Sequence, residues 1–342
     1  MTLIYNEIHD TFETLKKTGD YINKRWRDIE MFFINKSRFI FIGCGSSYSN
    51  AKSYAMLCNM SAGVPAMALA AGDILLHAER YKKCINGAGV VIISRSGKTT
   101  ELLKALDALR ETGCRFTVAS FICADDTPLG EKSDMVLSTP WAFDESVCQT
   151  RCVTNAYFMA VYITAKLTGD TSVLSDLNYL LDQGPSYMEK CETFAMEVAA
   201  EPWTHAVVLA DAELEGVAEE GSLVFKEVCQ MPSNYYHLLD VRHGPMVLIG
   251  KNTLVIAALG TSCELENGLV KDLVDKNAVT AVISDAPVIF ECVRCINFDK
   301  PLSHSVKGIA LIILCQLIAF YKSREIGVDP ENPTGLTPWI AI

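Results

Sequence analysis

One pattern constrains this chain more than any other, and it recurs along the sequence. An apolar, β-rich run ends in small residues, and a segment with helical spacing follows. "RFIFIGCGSS" (38–47) leads into "YSNAKSYAMLCNM", "AGVVIISRSG" (88–97) into "KTTELLKALDALRETG", and "RFTVASFIC" (115–123) is followed by the strand-like "MVLST". Strand, tight turn and helix in alternation build a parallel sheet from βαβ units. The helix-like "QTRCVTNAYFMAVYITAKLTGD" (149–170) closes this set, and the cycle then restarts. "HAVVLADAELEGVAEEGSLVFKEVCQ" (205–230) reads as strand, turn and helix, "NTLVIAALG" (252–260) and "AVTAVISDA" (278–286) as strands, and 305–328 as a closing helix.

Two copies of one α/β unit therefore account for most of the 342 residues, in keeping with about 100–200 residues per domain. The fold class expected is α/β, with two tandem doubly wound, flavodoxin-like parallel-sheet domains at 35–170 and 201–328. Residues 1–34, with Ile8, Phe12, Leu15, Ile22, Trp26, Ile29 and Phe32 at mostly helical spacings, form an N-terminal segment of one or two amphipathic helices. A helix-rich linker is expected at 171–200 and a tail near the active site at 329–342.

Composition narrows the function. Thirty basic against 41 acidic residues give a formal net charge of −11, which repels polyanions and leaves no footprint for nucleic acid or an anionic membrane surface. An anionic small molecule needs a local site built against that field. Thirteen scattered cysteines, an odd number, many of them in apolar runs, fit free thiols in a reducing cytoplasm better than a disulfide framework. The close pair Cys292 and Cys295 lacks the partners of a zinc site, so no metal is expected. The N-terminus is charged and amphipathic and has no signal-peptide core. The apolar stretch at 308–321 falls short of the roughly twenty residues a membrane span needs, and reads as a buried core helix.

In open parallel sheets, ligands sit at the carboxyl ends of strands, beside free amides and helix starts. "GCGSS" places Gly45, Ser46 and Ser47 at one such end, and "SRSGKT" places Ser94, Arg95, Ser96 and Thr99 at another. Hydroxyls and amides converging from two turns suit a phosphate. The alternative is that these serines and threonines merely cap the helices that follow. A dinucleotide fingerprint fails at Tyr48, which stands where the third glycine should be. A P-loop fails as well, because Ile92 occupies the position its first glycine needs.

"GCGSS" and "SRSGKTTE", then "ESVCQTRCVT", then "FKEVCQ" followed by "RHGP", resemble the tandem sugar isomerase (SIS) domain family over about residues 35–335. That family includes the isomerase half of glucosamine-6-phosphate synthase, fructosamine-6-phosphate deglycases and amino-sugar-6-phosphate isomerases or deaminases. The resemblance implies a phosphate held by Ser47, Ser94, Ser96 and Thr99, with Ser46 beside them and the amide of Arg95 facing the ligand. It implies a sugar-contacting set of Gly45, Val147, Gln149 and Thr150. Glu227 matches the glutamate that moves a proton between carbon 1 and carbon 2 of the open-chain sugar. His243, sixteen residues on, matches a histidine tied to ring opening or proton delivery, often supplied by a neighbouring subunit.

The residue types suit the chemistry. Shifting a carbonyl between adjacent carbons needs a base within reach of a weakly acidic C–H, and a histidine titrates near neutrality. Read alone, Glu227 is equally a surface glutamate beside Lys226, and His243 a satisfied loop histidine. His9, His77, His205, His237 and His304 have no such context and are expected to be structural.

Two departures bear on the subclass. Position 2 is Thr2 rather than cysteine, and Leu336 stands where the synthase has a lysine that forms an imine. Both point away from the glutamine-dependent reaction and toward the smaller deglycases and isomerase/deaminases. The expectation is a cytoplasmic enzyme without cofactor or metal, acting on a hexose 6-phosphate or its amine-substituted derivative. It is expected to work as a homodimer or higher homo-oligomer with shared active sites, and without nucleic acid or membrane as partner. A catalytically silent sugar-phosphate-binding regulator is the alternative.

Overall fold

A computed structural model describes residues 2–260, 263–285 and 290–336. The chain divides into two compact units, one running from Asp10 to Leu174 and the other joining the residues up to His9 with Ser175–Leu336. The first helix, α1 (Leu3–His9), thus belongs to the second unit. The N-terminal segment, expected as one or two helices, is three.

In the first unit, α2 (Thr11–Lys24) and α3 (Trp26–Ile34) precede β1 (Phe39–Gly43), α4 (Ser46–Leu57), β2 (Ala66–Ala70) and α5 (Ala71–Ile85). Then come β3 (Gly89–Ser94), α6 (Thr100–Glu111), β4 (Thr117–Ile122), the single turn α7 (Pro128–Glu131), β5 (Met135–Ser138) and α8 (Arg151–Thr168). The five strands are parallel in the order β2-β1-β3-β4-β5. Alternate residues of each strand face opposite sides. Ile40, Ile42, Val90 and Ile92 pack with Ile74 of α5 and Leu102, Leu106 and Leu109 of α6. On the other face the Phe41 ring lies 5.1 Å from that of Tyr54 in α4, and Phe121 lies 5.6 Å from the same ring. A sheet covered on both faces explains why β1 and β3 are unbroken apolar runs, every residue of them buried.

The second unit repeats the plan. The helical segment at 171–200 is one helix, α9 (Thr171–Ala199), and Tyr187 within it stacks on Phe298 at 5.0 Å and donates its hydroxyl to the Ala310 carbonyl. There follow β6 (His205–Leu209), α10 (Glu215–Val228), β7 (Ser233–Tyr236), β8 (Thr253–Ala258), α11 (Glu264–Asp275), β9 (Val279–Ile283), β10 (Arg294–Ile296) and α12 (His304–Glu325). The order is β10-β9-β8-β6-β7, again all parallel. Renumbered within its own unit, each sheet reads 2-1-3-4-5, the order of flavodoxin-like sheets.

The apolar stretch at 308–321 lies inside α12, which is long and apolar enough to cross a membrane, but 89% of its most apolar window is buried within the fold. α1 is fastened to this unit through its first turn. The Glu331 carboxylate accepts the Leu3 and Ile4 amides, and Glu192 accepts the Tyr5 and Tyr321 hydroxyls.

Candidate active site

The register sets the site. Ile42 of β1 pairs with Ile92 of β3, so the two strands end side by side, and the turns that leave them diverge from the point where the strand order reverses. Such a crevice is the ligand position of open α/β sheets.

At the first turn, Gly43 lets α4 approach closely, for a Cβ there would lie 2.3 Å from the carbonyl carbon of Ser47. Gly45, exposed, with φ +53, is the N-cap of α4, and no side chain caps that helix. Ser46 and Ser47 fill its first turn and are buried. At the second turn, Gly97 has φ +62 and packs against Thr127. Its amide donates to Ser94 Oγ at 3.1 Å, and the Lys98 amide donates to Ser96 Oγ at 3.2 Å. Thr99 is the N-cap of α6 but makes no side-chain cap bond. The capping alternative is therefore not what these hydroxyls do. Ser94 and Ser96 each accept one amide of the turn, and each hydroxyl keeps its O–H as a donor.

A third segment completes this end of the sheet. The loop from Phe143 to Thr150 is held by Asp144, a fully buried carboxylate that sequence reasoning passed over. It accepts the amides of Thr150 at 2.7 Å and Cys152 at 3.1 Å and the Thr150 hydroxyl at 3.3 Å, with Arg151 Nε 3.5 Å away. Burial pushes its carboxyl above the usual range, against the pull of those hydrogen bonds. Gln149 is half-buried and accepts the Cys152 thiol, and Val147 is half-buried, whereas Thr150 is fully buried. Ser47, Ser94, Arg95 and Gln149 share the wall of a cavity of about 20 Å³, room for about one water, whose other lining is Asn50 and mainly apolar side chains such as Phe121, Val153 and Met159. Ser46, Ser96, Thr99, Val147 and Thr150 do not line it. Arg95 was expected to offer its amide to the ligand, with its charge beside it. Its guanidinium instead bonds the carbonyls of Asp144 and Ser146.

Glu227 and His243 lie in the second unit. Glu227 is half-buried in the last turn of α10, next to Lys226, whose ammonium donates to Ser222 Oγ at 2.7 Å. Burial lowers the Lys226 pKa, against the charges of Glu219 and Glu227. Gln230, three residues past Glu227, has φ +51 and donates to the Thr334 carbonyl at 3.2 Å, which brings the C-terminal segment to this end of α10. Positions 337–342 of the expected tail lie outside the described residues.

His243 is exposed and follows a short turn, Asp240–Arg242. The tyrosines and leucines of its segment, "NYYHLLDVRHGPM", lead one to expect exposed aromatics marking an interface, and the structure differs. Tyr235 and Tyr236 are half-buried, and Tyr236 packs against the core, so the exposed apolar side chains are Val247, Leu248 and Leu239, at 80%, 65% and 37% exposure.

At the matching strand ends of the second sheet a charged cluster stands where the first has hydroxyls. Lys307, 1% exposed, donates to the carbonyls of Leu259 and Gly260 and pairs with Asp285 at 2.5 Å. His304 Nε2 lies 3.3 Å from Asp211. No spacing of residue types announces either contact, since both join strand ends far apart in sequence to the start of α12.

Residues 32–165 match the SIS domain family. Over 366 aligned positions the chain is 25% identical to a glutamine–fructose-6-phosphate aminotransferase (isomerizing) of Clostridium tetani, covering 98% of this chain but 58% of that protein. In fold it is similar to a tagatose-6-phosphate ketose/aldose isomerase of Escherichia coli, with TM-score 0.83, 20% identity and coverage of 99% and 97% of the two chains. It is also similar to a glucosamine-6-phosphate deaminase of Thermotoga maritima, with TM-score 0.75, 23% identity and coverage of 96% and 99%.

Proposed function

We propose that this SIS-domain chain is an enzyme of phosphosugar chemistry, which moves a proton between carbon 1 and carbon 2 of a hexose 6-phosphate or its amine-substituted derivative. The observation that carries the reading is the pair of hydroxyl-bearing turns, Ser46 and Ser47 after β1 and Ser94 and Ser96 after β3, that leave adjacent strand ends where the strand order reverses. Helix starts, turn amides and hydroxyls there supply donors from several directions, which is what a phosphate monoester requires. Kinship with sugar-phosphate isomerases and an aminotransferase supports the same substrate class.

Glu227 is the proposed base. A carboxylate partly removed from water on a helix end suits abstraction of a weakly acidic proton. The product is an enediol, or an enolamine where carbon 2 or carbon 1 carries nitrogen. Returning the proton to the adjacent carbon, as the hydroxyl on the carbon that lost it gives up its own proton to become the new carbonyl, completes an isomerisation. Where nitrogen is present the same protonation gives an imine, and addition of water with expulsion of the amine completes a deglycation or deamination. No metal or organic cofactor enters this scheme.

Assembly is part of the proposal. His243 stands exposed beside Val247 and Leu248, and large exposed apolar side chains around a polar functional group are what a subunit interface covers. A two-fold dimer that buries this rim gives each site a histidine from its partner. The thirteen free thiols fit a cytoplasmic protein.

The test is a binding and turnover panel of fructose, tagatose and glucosamine 6-phosphates and phosphorylated ketosamines, each beside its unphosphorylated sugar. The 6-phosphates are expected to bind at least about tenfold more tightly, since each charge-assisted hydrogen bond contributes about 1.5–3 kcal/mol. Equal binding of phosphorylated and free sugars contradicts the reading, and tight binding without turnover of any member favours the regulator.

A further inference from the structure

Arg95 stands between the two serines of the second turn, where a cation is expected to face an anion. Its guanidinium turns away to a different segment. Nη1 donates to the Ser146 carbonyl at 2.7 Å and the Asp144 carbonyl at 3.3 Å, and the group lies over the Phe143 ring at 5.7 Å. Two carbonyls and one ring of a single loop are gripped by a side chain that belongs to the phosphate turn. A planar fork suits this grip, and a lysine ammonium on its flexible stem does not reproduce it.

The other end of the loop is fixed as well. Asp144 binds the start of α8 through the amides of Thr150 and Cys152, and the Ser146 hydroxyl closes onto the Cys148 carbonyl at 2.8 Å. The stretch that contains Val147 and Gln149 is thereby suspended between two anchors. One is the buried Asp144 carboxylate, which is costly to leave unpaired. The second is Arg95, which reaches the loop from the turn that carries Ser94 and Ser96.

We propose that Arg95 is a positioning residue that braces the sugar-facing loop on the phosphate turn, so that a phosphate seated in that turn fixes the loop that meets the rest of the sugar. The proposal rests on the phosphosugar reading of this site. It separates two quantities that a direct phosphate ligand would join. Affinity for inorganic phosphate depends on the hydroxyls and on backbone amides, which substitution of the Arg95 side chain leaves in place. The extra affinity contributed by the sugar depends on the loop, and so on the guanidinium.

Equilibrium binding of inorganic phosphate, and of the tightest-binding sugar 6-phosphate in the panel above, separates these roles in the native protein, Arg95→Lys and Arg95→Gln. Inorganic phosphate is expected to bind all three alike, which also shows that the turn is intact. The advantage of the sugar phosphate over inorganic phosphate is expected to fall about tenfold in both variants. Loss of inorganic phosphate binding in Arg95→Gln with recovery in Arg95→Lys makes Arg95 a phosphate ligand and overturns the proposal. So does sugar-phosphate binding that either variant leaves unchanged. A native protein that binds neither phosphate removes the phosphosugar reading itself, and this inference with it.

Discussion

His304 shows how one side chain carries two opposed effects. Burial disfavours its charged form, but the Asp211 carboxylate 3.3 Å from its Nε2 and the negative charge of Glu213 outweigh burial and the nearby Lys307, and hold its pKa above the usual imidazole value. A raised folded pKa means that the charged form stabilises the fold. That contribution is complete below the ordinary histidine value of about 6.5 and is lost as pH rises through the folded value. The stability gap between the native protein and His304→Gln, measured by urea unfolding, is expected to be widest near about pH 6 and to narrow as the pH rises above the ordinary histidine range. A gap that widens with pH contradicts the assignment. Nothing in the sequence singled out His304, because its partner Asp211 follows a strand some ninety residues away. Ser47 and Ser94 were legible because each sits at or within a few residues of a strand end that the apolar runs had already located, whereas Gln149, far past the end of β5, was reached only through the family resemblance. Asp144 was not, since a lone aspartate in a loop has no pattern, and its importance comes from burial and three donors that only the fold supplies.

At the scale of elements, the two turns depend on backbone that only glycine adopts without strain. Gly97 combines φ +62 with a Cβ position 2.5 Å from Thr127 Oγ1, whereas Gly113, at φ +74, has open space around it. Left-handed backbone alone costs an alanine about 1–2 kcal/mol, so Gly113→Ala is expected to destabilise by that amount. Gly97→Ala adds a clash and is expected to cost more in thermal or chemical unfolding and to weaken phosphate binding. Equal costs at the two positions would show that the packing of Gly97 on Thr127 contributes nothing. The central strands β1, β3, β4, β6, β8 and β9 were all legible as apolar runs. The strands without a clear signal, β2, β7 and β10, are all sheet edges. An edge strand pairs on one side only and keeps part of its surface in water, so its sequence need not be apolar. "SNYY" of β7 and "RCI" of β10 show the result, whereas "AMALA" of β2 is apolar but lacks the β-branched and aromatic residues that mark a strand. The segment "NYYHLLDVRHGPM" illustrates a related limit, since composition showed its aromatics and apolar residues but not which of them the core takes. Tyr236 goes inward, and Val247 and Leu248 stay out.

For the whole molecule, one topology used twice carries two different sets of chemistry. In the first unit the turns leaving β1 and β3 at the reversal point carry hydroxyls, while in the second the buried ammonium of Lys307 ties the end of β8 to that of β9. Under the proposed function, this asymmetry assigns the phosphate to the first unit and Glu227 and His243 to the second. The central claim is that Glu227 moves a proton at carbon 1 or carbon 2 of a bound sugar phosphate. Incubation in deuterium oxide with the tightest-binding 6-phosphate of the panel, followed by NMR of the recovered sugar, tests it most directly. The native protein is expected to place deuterium at carbon 1 or carbon 2, and Glu227→Gln, which keeps the shape but lacks the base, to do so about 10²–10⁴ times more slowly. Exchange at an undiminished rate in Glu227→Gln, or no exchange at either carbon with the native protein, would contradict the account.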